Sequence, residues 1–160
     1  MQNHLQIFNT LKQERAAEFQ TRHGLTIKTG EGLGAAILKL MKPAWSTDKP
    51  TELLNSNGLF FSVWIDAECA SKGIVRYNLH AMKLRAIKGE AFAAREFARS
   101  FRAQAKDELE GLPNWTYPKG PVTLFEGHFK LDENTLKAET SKLMDHFAAL
   151  TPLLDRLLGF

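Results

Sequence analysis

Two stretches of alternating side chains constrain the fold of this chain more than any other feature. Residues 59–67 and 74–80 are rich in aromatic and β-branched residues, and every second position in each is apolar. Such alternation is typical of antiparallel strands that bury one face, because successive side chains point to opposite sides of a sheet. The two stretches therefore predict a hairpin joined by a turn. In that hairpin Val63 faces Tyr77, since a slip by one residue would bury Arg76.

Periodicity and turn residues indicate the other elements. Helices are predicted at residues 5–23, 35–41, 80–88, 90–110 and 133–150, and a further short helix from Thr151 and Pro152. Strands are predicted at residues 25–28 and 122–130, and loops at residues 42–58, with one turn at 51–54, and at 111–121. We therefore expect a single α+β domain over residues 1–160. Its antiparallel sheet has three to four strands, with helices packed mainly on one face.

Composition limits the environment and the chemistry that we expect. The chain has 160 residues, of which 44% are hydrophobic and 24% charged, as in a globular protein. No apolar run approaches the roughly 18 residues of a membrane span, so a cytoplasmic protein without a membrane partner is predicted. The single cysteine and the scattered histidines predict neither a disulfide, a metal site nor a cofactor. The glycine-rich run at 29–35 lacks nucleotide-binding spacing and predicts a tight connection with positive φ.

Positive charge is concentrated in the middle of the chain. Residues 72–106 carry nine basic and two acidic side chains, whereas residues 107–160 carry five basic and nine acidic ones. In the predicted helix over residues 90–110, four cations lie opposite the apolar stripe: Arg95, Arg99, Arg102 and Lys106. Their charges repel one another unless an anion lies nearby. The rings of Trp115 and Tyr117 follow in the next loop, where unpaired bases could stack on them.

This basic helix and its aromatic loop favour a binding function. We expect a non-catalytic intracellular binding module whose partner is nucleic acid or an acidic protein. Two alternatives are open for the same residues: the acidic C-terminal region neutralises the helix, or the aromatic rings pack into the core. A self-associating domain, and hence a homodimer, is a further alternative. It would use the heptad-spaced apolar residues of the last long helix, which are Leu136, Leu143, Phe147 and Leu150.

The polar face of the predicted sheet offers another interpretation, that of a small enzyme. Arg76 and His80 point away from the core side of the hairpin, and Glu126 and His128 share one face of the strand at residues 122–130. If that strand lies beside the hairpin, the four side chains form a group able to bind a substrate or transfer protons, and they are the candidate catalytic residues. The same alternation is also typical of a solvated sheet face without a catalytic role.

Overall fold

The two alternating stretches form neighbouring strands of one antiparallel sheet. The structure is a computed structural model, and it describes residues 2–47 and 57–160. The strands are β1 (Thr26–Gly32), β2 (Ala35–Met41), β3 (Gly58–Ile65), β4 (Ile74–Met82) and β5 (Thr123–Lys130). The helices are α1 (Gln2–His23), α2 (Ala67–Lys72), α3 (Arg85–Lys88), α4 (Ala94–Leu109) and α5 (Leu136–Leu158). A 3-10 turn, Pro43–Trp45, follows β2.

The strands pair in the order in which they occur along the chain, β1-β2-β3-β4-β5. Val63 pairs with Tyr77 and Trp64 with Arg76, so the predicted register of the central hairpin is confirmed. β5 lies beside β4, where Arg76 pairs with His128. The register of β3 and β4 could be predicted because only one alignment puts their apolar side chains on one face of the sheet and their polar side chains on the other.

Aromatic side chains from the sheet and the helices form the core. α1, α4 and α5 pack against the sheet. The rings of Phe61 and Phe147 stack with their centroids 4.5 Å apart, and those of Phe101 and Phe125 stack at 6.1 Å. All four side chains are fully buried, and burying one such side chain contributes about 1.5–3 kcal/mol. The predicted class, a single α+β domain with an antiparallel sheet, is therefore confirmed.

The heptad-spaced residues of α5 belong to this core. Their exposed fractions do not exceed 3%, and they are Leu136, Leu143, Phe147 and Leu150. Side chains buried within the domain are unavailable to a partner helix. The heptad spacing from which the homodimer was predicted is thus explained by the packing of α5 within the domain.

The sheet has five strands because residues 35–41 form β2, where the sequence predicted a short helix. The predicted count of three to four strands is therefore too low. Lys39 and both of its chain neighbours are at most 2% exposed, and a strand buried on both faces loses the alternation that identifies strands. Leu33 and Gly34, with φ of 53° and 75°, form the turn between β1 and β2. The tight connection predicted for the glycine-rich run is confirmed.

α5 continues through two residues that were predicted to begin a separate helix. Thr151 and Pro152 lie inside a single helix that ends at Leu158. Proline lacks an N–H group and weakens a helix interior. Here Leu150 and Leu154, on either side, are at most 1% exposed, and burial of an apolar face is what stabilises most helices in proteins. Tertiary packing therefore outweighs the local signal for a break.

The connection between β3 and β4 is a helix rather than the predicted turn. Asp66 begins α2 by accepting a hydrogen bond from the Cys69 N–H at 2.8 Å, and Gly73 ends it with a φ of 67°. The turn predicted at residues 51–54 lies outside the described residues. Among the helices that the structure describes, none is long and apolar enough to cross a membrane.

Gly127 allows β5 to pack closely on β4. It pairs with Tyr77, and a Cβ atom at this position would overlap the Tyr77 hydroxyl. The Tyr77 ring therefore passes beneath β5, and its hydroxyl donates a hydrogen bond to the Pro113 carbonyl. Burial raises the pKa of Tyr77, which keeps the phenol protonated as a donor. This contact fixes the loop after α4 beside the polar face of β5.

Candidate functional site on the open face of the sheet

The sheet face opposite Phe61 and Phe125 carries polar side chains, and we call it the open face. Alternate residues of the strands form it, among them Lys28, Ile37, Lys39, Phe60, Ser62, Trp64, Arg76, Asn78, His80, Glu126 and His128. Four of its polar residues, namely Lys28, Lys39, Ser62 and Asn78, are at most 9% exposed. Removing polar groups from water costs free energy unless they find partners. The open face thus differs from an ordinary solvated sheet face.

Three of the four candidate catalytic residues line one cavity on the open face. Arg76 pairs with His128 across β4 and β5, and Glu126 lies two residues before His128. Together with Trp64 they line a cavity of about 450 Å³, which we call the arginine cavity. The antiparallel pairing of β5 with β4 therefore places three of the four candidate residues at one cavity, and their catalytic role stays a prediction.

Among the described residues, the Arg76 guanidinium contacts one carboxylate, and that contact is long. Its Nη2 lies 3.3 Å and its Nη1 3.5 Å from the Glu68 carboxylate on α2. Lys72 binds the same carboxylate more closely, at 2.6 Å. Lys72 and then Arg76 lower the pKa of Glu68, so this carboxylate is ionised at neutral pH. Hydrogen bonds weaken beyond about 3.2 Å, so Arg76 retains donor capacity toward the cavity.

A second cavity, of about 260 Å³, adjoins the first at Trp64. We call it the asparagine cavity. Ser62, Asn78 and His80 line its polar part, while Ala35 and Ile37 contribute an apolar wall. His80, the fourth candidate catalytic residue, therefore lies here and not in the arginine cavity. Trp64 is shared by both cavities and is only partly buried.

His80 is held as a neutral imidazole between two polar partners. Burial lowers its pKa, with a smaller opposing effect from the Val122 carbonyl. The Nδ1 atom lies 3.0 Å from the Thr123 Oγ1, and the Nε2 atom lies 2.9 Å from the Asn78 Nδ2. An amide nitrogen can only donate a hydrogen bond, so Nε2 is the acceptor and the neutral ring carries its proton on Nδ1. Nε2 then accepts from the Asn78 amide.

This orientation leaves the other amide atom of Asn78 without a partner among the described residues. Asn78 is 4% exposed, and its buried Oδ1 accepts no hydrogen bond from residues 2–47 or 57–160. An unsatisfied buried acceptor costs about 1–3 kcal/mol. Few buried polar groups in native proteins are left in this state. The Asn78 Oδ1 is therefore the most specific chemical feature of the open face.

The basic helix stripe is divided by the fold, and Arg102 is part of the structure. Its Nε donates to the Leu124 carbonyl at 3.1 Å, and its Nη2 donates to the Gly120 and Thr123 carbonyls at 2.8 Å. The Tyr117 hydroxyl donates in turn to the Arg102 carbonyl at 2.9 Å. The prediction that four cations stand together in water on α4 thus fails at Arg102, because backbone carbonyls of the following loop and strand bind it.

The other three cations of α4 are exposed. Arg99 forms an ion pair with Glu96 one turn earlier. For Arg95 and Lys106, the described part of the chain contains no hydrogen-bonding or ion-pair partner. Arg95 and Arg99 border a shallow cleft of about 150 Å³ that also contacts Pro121. An anionic partner could therefore meet Arg95, Arg99 and Lys106, whereas the Nε and Nη2 of Arg102, which also lines the cleft, already donate to backbone carbonyls.

The aromatic loop residues are packed rather than displayed. The Trp115 and Tyr117 rings contact each other with centroids 5.0 Å apart, and both pack partly against the core. The Arg102 guanidinium lies over the Tyr117 ring at 5.7 Å. Burial raises the pKa of Tyr117. These contacts favour the alternative in which the two rings pack against the rest of the domain.

Cys69 and the histidines do not form a further site in the described residues. Cys69 is fully buried in α2, and burial raises the pKa of its thiol, which disfavours the reactive thiolate. No cluster of three or more histidine, cysteine, aspartate or glutamate residues capable of holding a metal ion occurs in residues 2–47 and 57–160.

Fold and site together define a single α+β domain whose five-stranded antiparallel sheet carries two adjoining cavities on its polar face. No known protein family, curated protein or solved structure matches the chain.

The sequence did not single out Asn78, Ser62 and Trp64 as site residues. Their positions on the polar face were predictable, because the confirmed register places each opposite another open-face residue. The burial of Ser62 and Asn78 was not predictable, since alternation assigns a side chain to a face of the sheet without saying how deeply it lies. The signal available in the sequence was an asparagine flanked by aromatic and aliphatic residues in the middle of a strand, where asparagine is disfavoured.

Proposed function

We propose that this protein is a small-molecule-binding domain whose ligand lies across Trp64 on the open face, with an anionic group at Arg76. The observation that carries the proposal is the arginine cavity, in which Arg76, Glu126 and His128 meet beside an indole ring. The anionic partner that the sequence predicted for α4 is thus proposed to bind the sheet instead.

The chemistry of the two central residues supports this ligand class. A guanidinium presents five N–H donors in a planar fork that matches phosphate and carboxylate oxygens. Its long contacts to Glu68 leave donors for such a group. A partly exposed indole offers a flat apolar surface against which a planar ligand packs. Glu126 and His128 add an acid and a base in the same cavity, so the face could also support proton transfer.

The test is a nuclear magnetic resonance titration of the full chain with phenyl phosphate, which combines a ring with a dianion. We expect the Trp64 indole N–H and the amides of β4 and β5 on the open face to shift. Arg76→Gln should weaken binding by about tenfold, because loss of a charged hydrogen bond costs about 1.5 kcal/mol. Benzyl alcohol, which lacks the anion, should bind the unmodified protein as weakly as phenyl phosphate binds Arg76→Gln.

Arg95→Gln is the matched control, since it removes the same charge from an exposed position on α4. It should leave the affinity for phenyl phosphate unchanged. An affinity that is the same in Arg76→Gln as in the unmodified protein, or shifts confined to α4, would reject the open-face site.

A second candidate function is the binding of nucleic acid or an acidic protein by α4. The specific observation in its favour is the pair of exposed, unpartnered cations in the described residues, Arg95 and Lys106. Binding of a single-stranded oligonucleotide should then weaken steeply as salt rises, because phosphate contacts release counterions. Joint replacement of Arg95, Arg99 and Lys106 by glutamine should abolish it. Retention that does not depend on salt would exclude this function.

A further inference from the structure

We infer that the arginine cavity takes a zwitterionic ligand, in which an aromatic ring joins an anionic group to a primary ammonium group. Arg76 binds the anion and Glu126 binds the ammonium. This inference rests on the proposed function and adds a second charge to the ligand. An anion could bind at Arg76 without any role for Glu126, so the inference can fail while the proposed function stands.

The first observation is the position of Glu126 beside Arg76. Arg76 pairs with His128 across β4 and β5, and Glu126 lies two residues before His128. Arg76 and Glu126 are therefore diagonal neighbours on the open face, and residues in this relation lie about 7–8 Å apart. Both line the arginine cavity, and Glu126 is exposed. A ligand in the cavity can therefore reach either charge.

The second observation is that these opposite charges do not bind each other. The Arg76 guanidinium contacts Glu68 on α2, which precedes β4. Glu126 lies on the other side of Arg76, opposite a later residue of β4. Within residues 2–47 and 57–160 the Glu126 carboxylate has no hydrogen bond and no ion pair. The cavity thus presents a cation and an anion that are separate, and a ligand with both charges would satisfy the two together.

The third observation is that two carboxylates at the α2 end of the open face already have partners. Lys72 binds Glu68 at 2.6 Å, and Asp66 accepts a hydrogen bond from the Cys69 N–H at 2.8 Å. An ammonium group at Glu68 would have to compete with the Lys72 side chain. At Glu126 it would meet a carboxylate that has no competing donor in the described part of the chain.

The backbone of Glu126 is fixed on both sides, so its carboxylate has a defined place at the cavity. Glu126 pairs with Asn78 of β4 on one side. On the other side its N–H and carbonyl bond to Thr116, at 3.1 and 2.8 Å. Thr116 also lines the cavity. The loop after α4 therefore extends the sheet beyond β5 and positions the anion without contacting its side chain.

The size and charge of the cavity agree with this ligand class. Its volume is about 450 Å³, whereas a cavity of about 150 Å³ suffices to hold benzene, so a ring with two charged groups fits. Glu126 repels a ligand that carries only an anion, because like charges at this separation oppose binding. A primary amine is protonated at neutral pH, as lysine is. It turns this repulsion into attraction.

The experiment compares two probes in which a methyl group replaces the ammonium group, 4-(2-aminoethyl)phenyl phosphate and 4-propylphenyl phosphate. Both are titrated into the full chain, and the Trp64 indole N–H is followed by nuclear magnetic resonance. We expect the aminoethyl probe to bind about fivefold more tightly, at the upper end of the range for an exposed ion pair. Arg76→Gln should weaken the binding of both probes, since both carry the phosphate.

Glu126→Gln should act on the two probes in opposite directions. It should weaken the aminoethyl probe about fivefold by removing its counter-charge, and strengthen the propyl probe about twofold by removing a repulsion. The side chain is exposed, so the variant should fold like the unmodified protein. Glu68→Gln is the matched control, because it removes a carboxylate from the other side of Arg76. It should strengthen the binding of both probes.

The outcomes separate this inference from the proposed function. Equal binding of the two probes, or the same effect of Glu126→Gln on both, would overturn the inference. The proposed function would still stand if the propyl probe depended on Arg76. A preference for the aminoethyl probe that is lost in Glu68→Gln and kept in Glu126→Gln would place the ammonium at α2 and also overturn the inference. Absence of binding by both probes would overturn the inference and the proposed function together.

Discussion

Arg102 on α4 and Arg76 on β4 come from the same cation-rich part of the sequence and have different roles. Arg102 donates three hydrogen bonds of 2.8–3.1 Å to backbone carbonyls and thereby ties α4 to the beginning of β5. Within the described residues, the Arg76 guanidinium has contacts of 3.3 and 3.5 Å to an exposed carboxylate, and it lines a cavity. Arg102, which the helical pattern singled out, therefore has a structural role, whereas Arg76 in β4 is available to bind a ligand.

The difference follows from what each element places next to the arginine. A helix presents its outward side chains to whichever loop crosses it, and here carbonyls of residues 120–124 meet Arg102. In an antiparallel sheet, the side chains of paired residues lie about 5 Å apart on the same face. Register alone therefore assembles Trp64, Arg76 and His128 side by side. Sequence spacing predicts the second arrangement far better than the first.

The largest effect expected from this comparison is on stability. Arg102→Gln should lower the free energy of unfolding by about 3 kcal/mol, because several charged hydrogen bonds are lost and backbone carbonyls are left without donors. For a chain of this length that corresponds to a fall in Tm of about 6–12 °C. Thermal unfolding followed by circular dichroism measures it.

Arg95→Gln serves as the control on the same helix. As an exposed residue without a partner in the described part of the chain, it should change stability by no more than about 0.5 kcal/mol. If the two variants unfolded at the same temperature, the distinction between a structural and an available arginine would be wrong.

An intermediate effect concerns pH and tests whether the polar groups of the open face are buried in solution. The pKa of His80 is lowered by burial, so the unfolded chain binds a proton at this residue before the folded one does. Its contribution to stability is present above the unfolded pKa of about 6.5 and is lost as pH falls below that value, by at most about 1.4 kcal/mol per pH unit. Urea unfolding between pH 7.5 and 5.5 should reveal this loss.

His80→Gln should flatten that pH dependence, whereas His128→Gln, an exposed histidine on the same face, should not. The pKa of His4 is also lowered, first by burial, but its contribution is common to all three proteins and cancels in the comparison. The same pH dependence in His80→Gln as in the unmodified protein would mean that His80 is solvated.

The register of the strands that form the open face could be predicted from the sequence, whereas the cavity walls on that face could not. Strict alternation in β3 and β4 allowed one alignment, and the pairings of Trp64 with Arg76 and of Ser62 with Asn78 followed from it. β2 was missed because a strand buried on both faces has no polar alternation, and its alanines and leucines favour a helix equally well. Without β2 the site has no apolar wall at Ile37 and no asparagine cavity.

The role of Arg102 was also beyond the reach of the sequence, for a different reason. Its partners are backbone carbonyls, which every residue carries, and only the path of the chain after α4 brings those of Gly120 and Thr123 to the guanidinium. Glu68 illustrates the same limit. It was assigned to a turn, and only the formation of α2 places its carboxylate between Lys72 and Arg76.

The smallest effect expected is on affinity, and it comes from that carboxylate. Glu68→Gln removes the anion that competes for Arg76, so phenyl phosphate should bind about threefold more tightly, in keeping with the modest strength of exposed ion pairs. Glu96→Gln frees Arg99 on α4 in the same way and should leave this affinity unchanged. The change should also shrink as salt rises, since screening weakens an exposed charge. Tighter binding in Glu96→Gln instead would place the anion on the helix and return the function to α4.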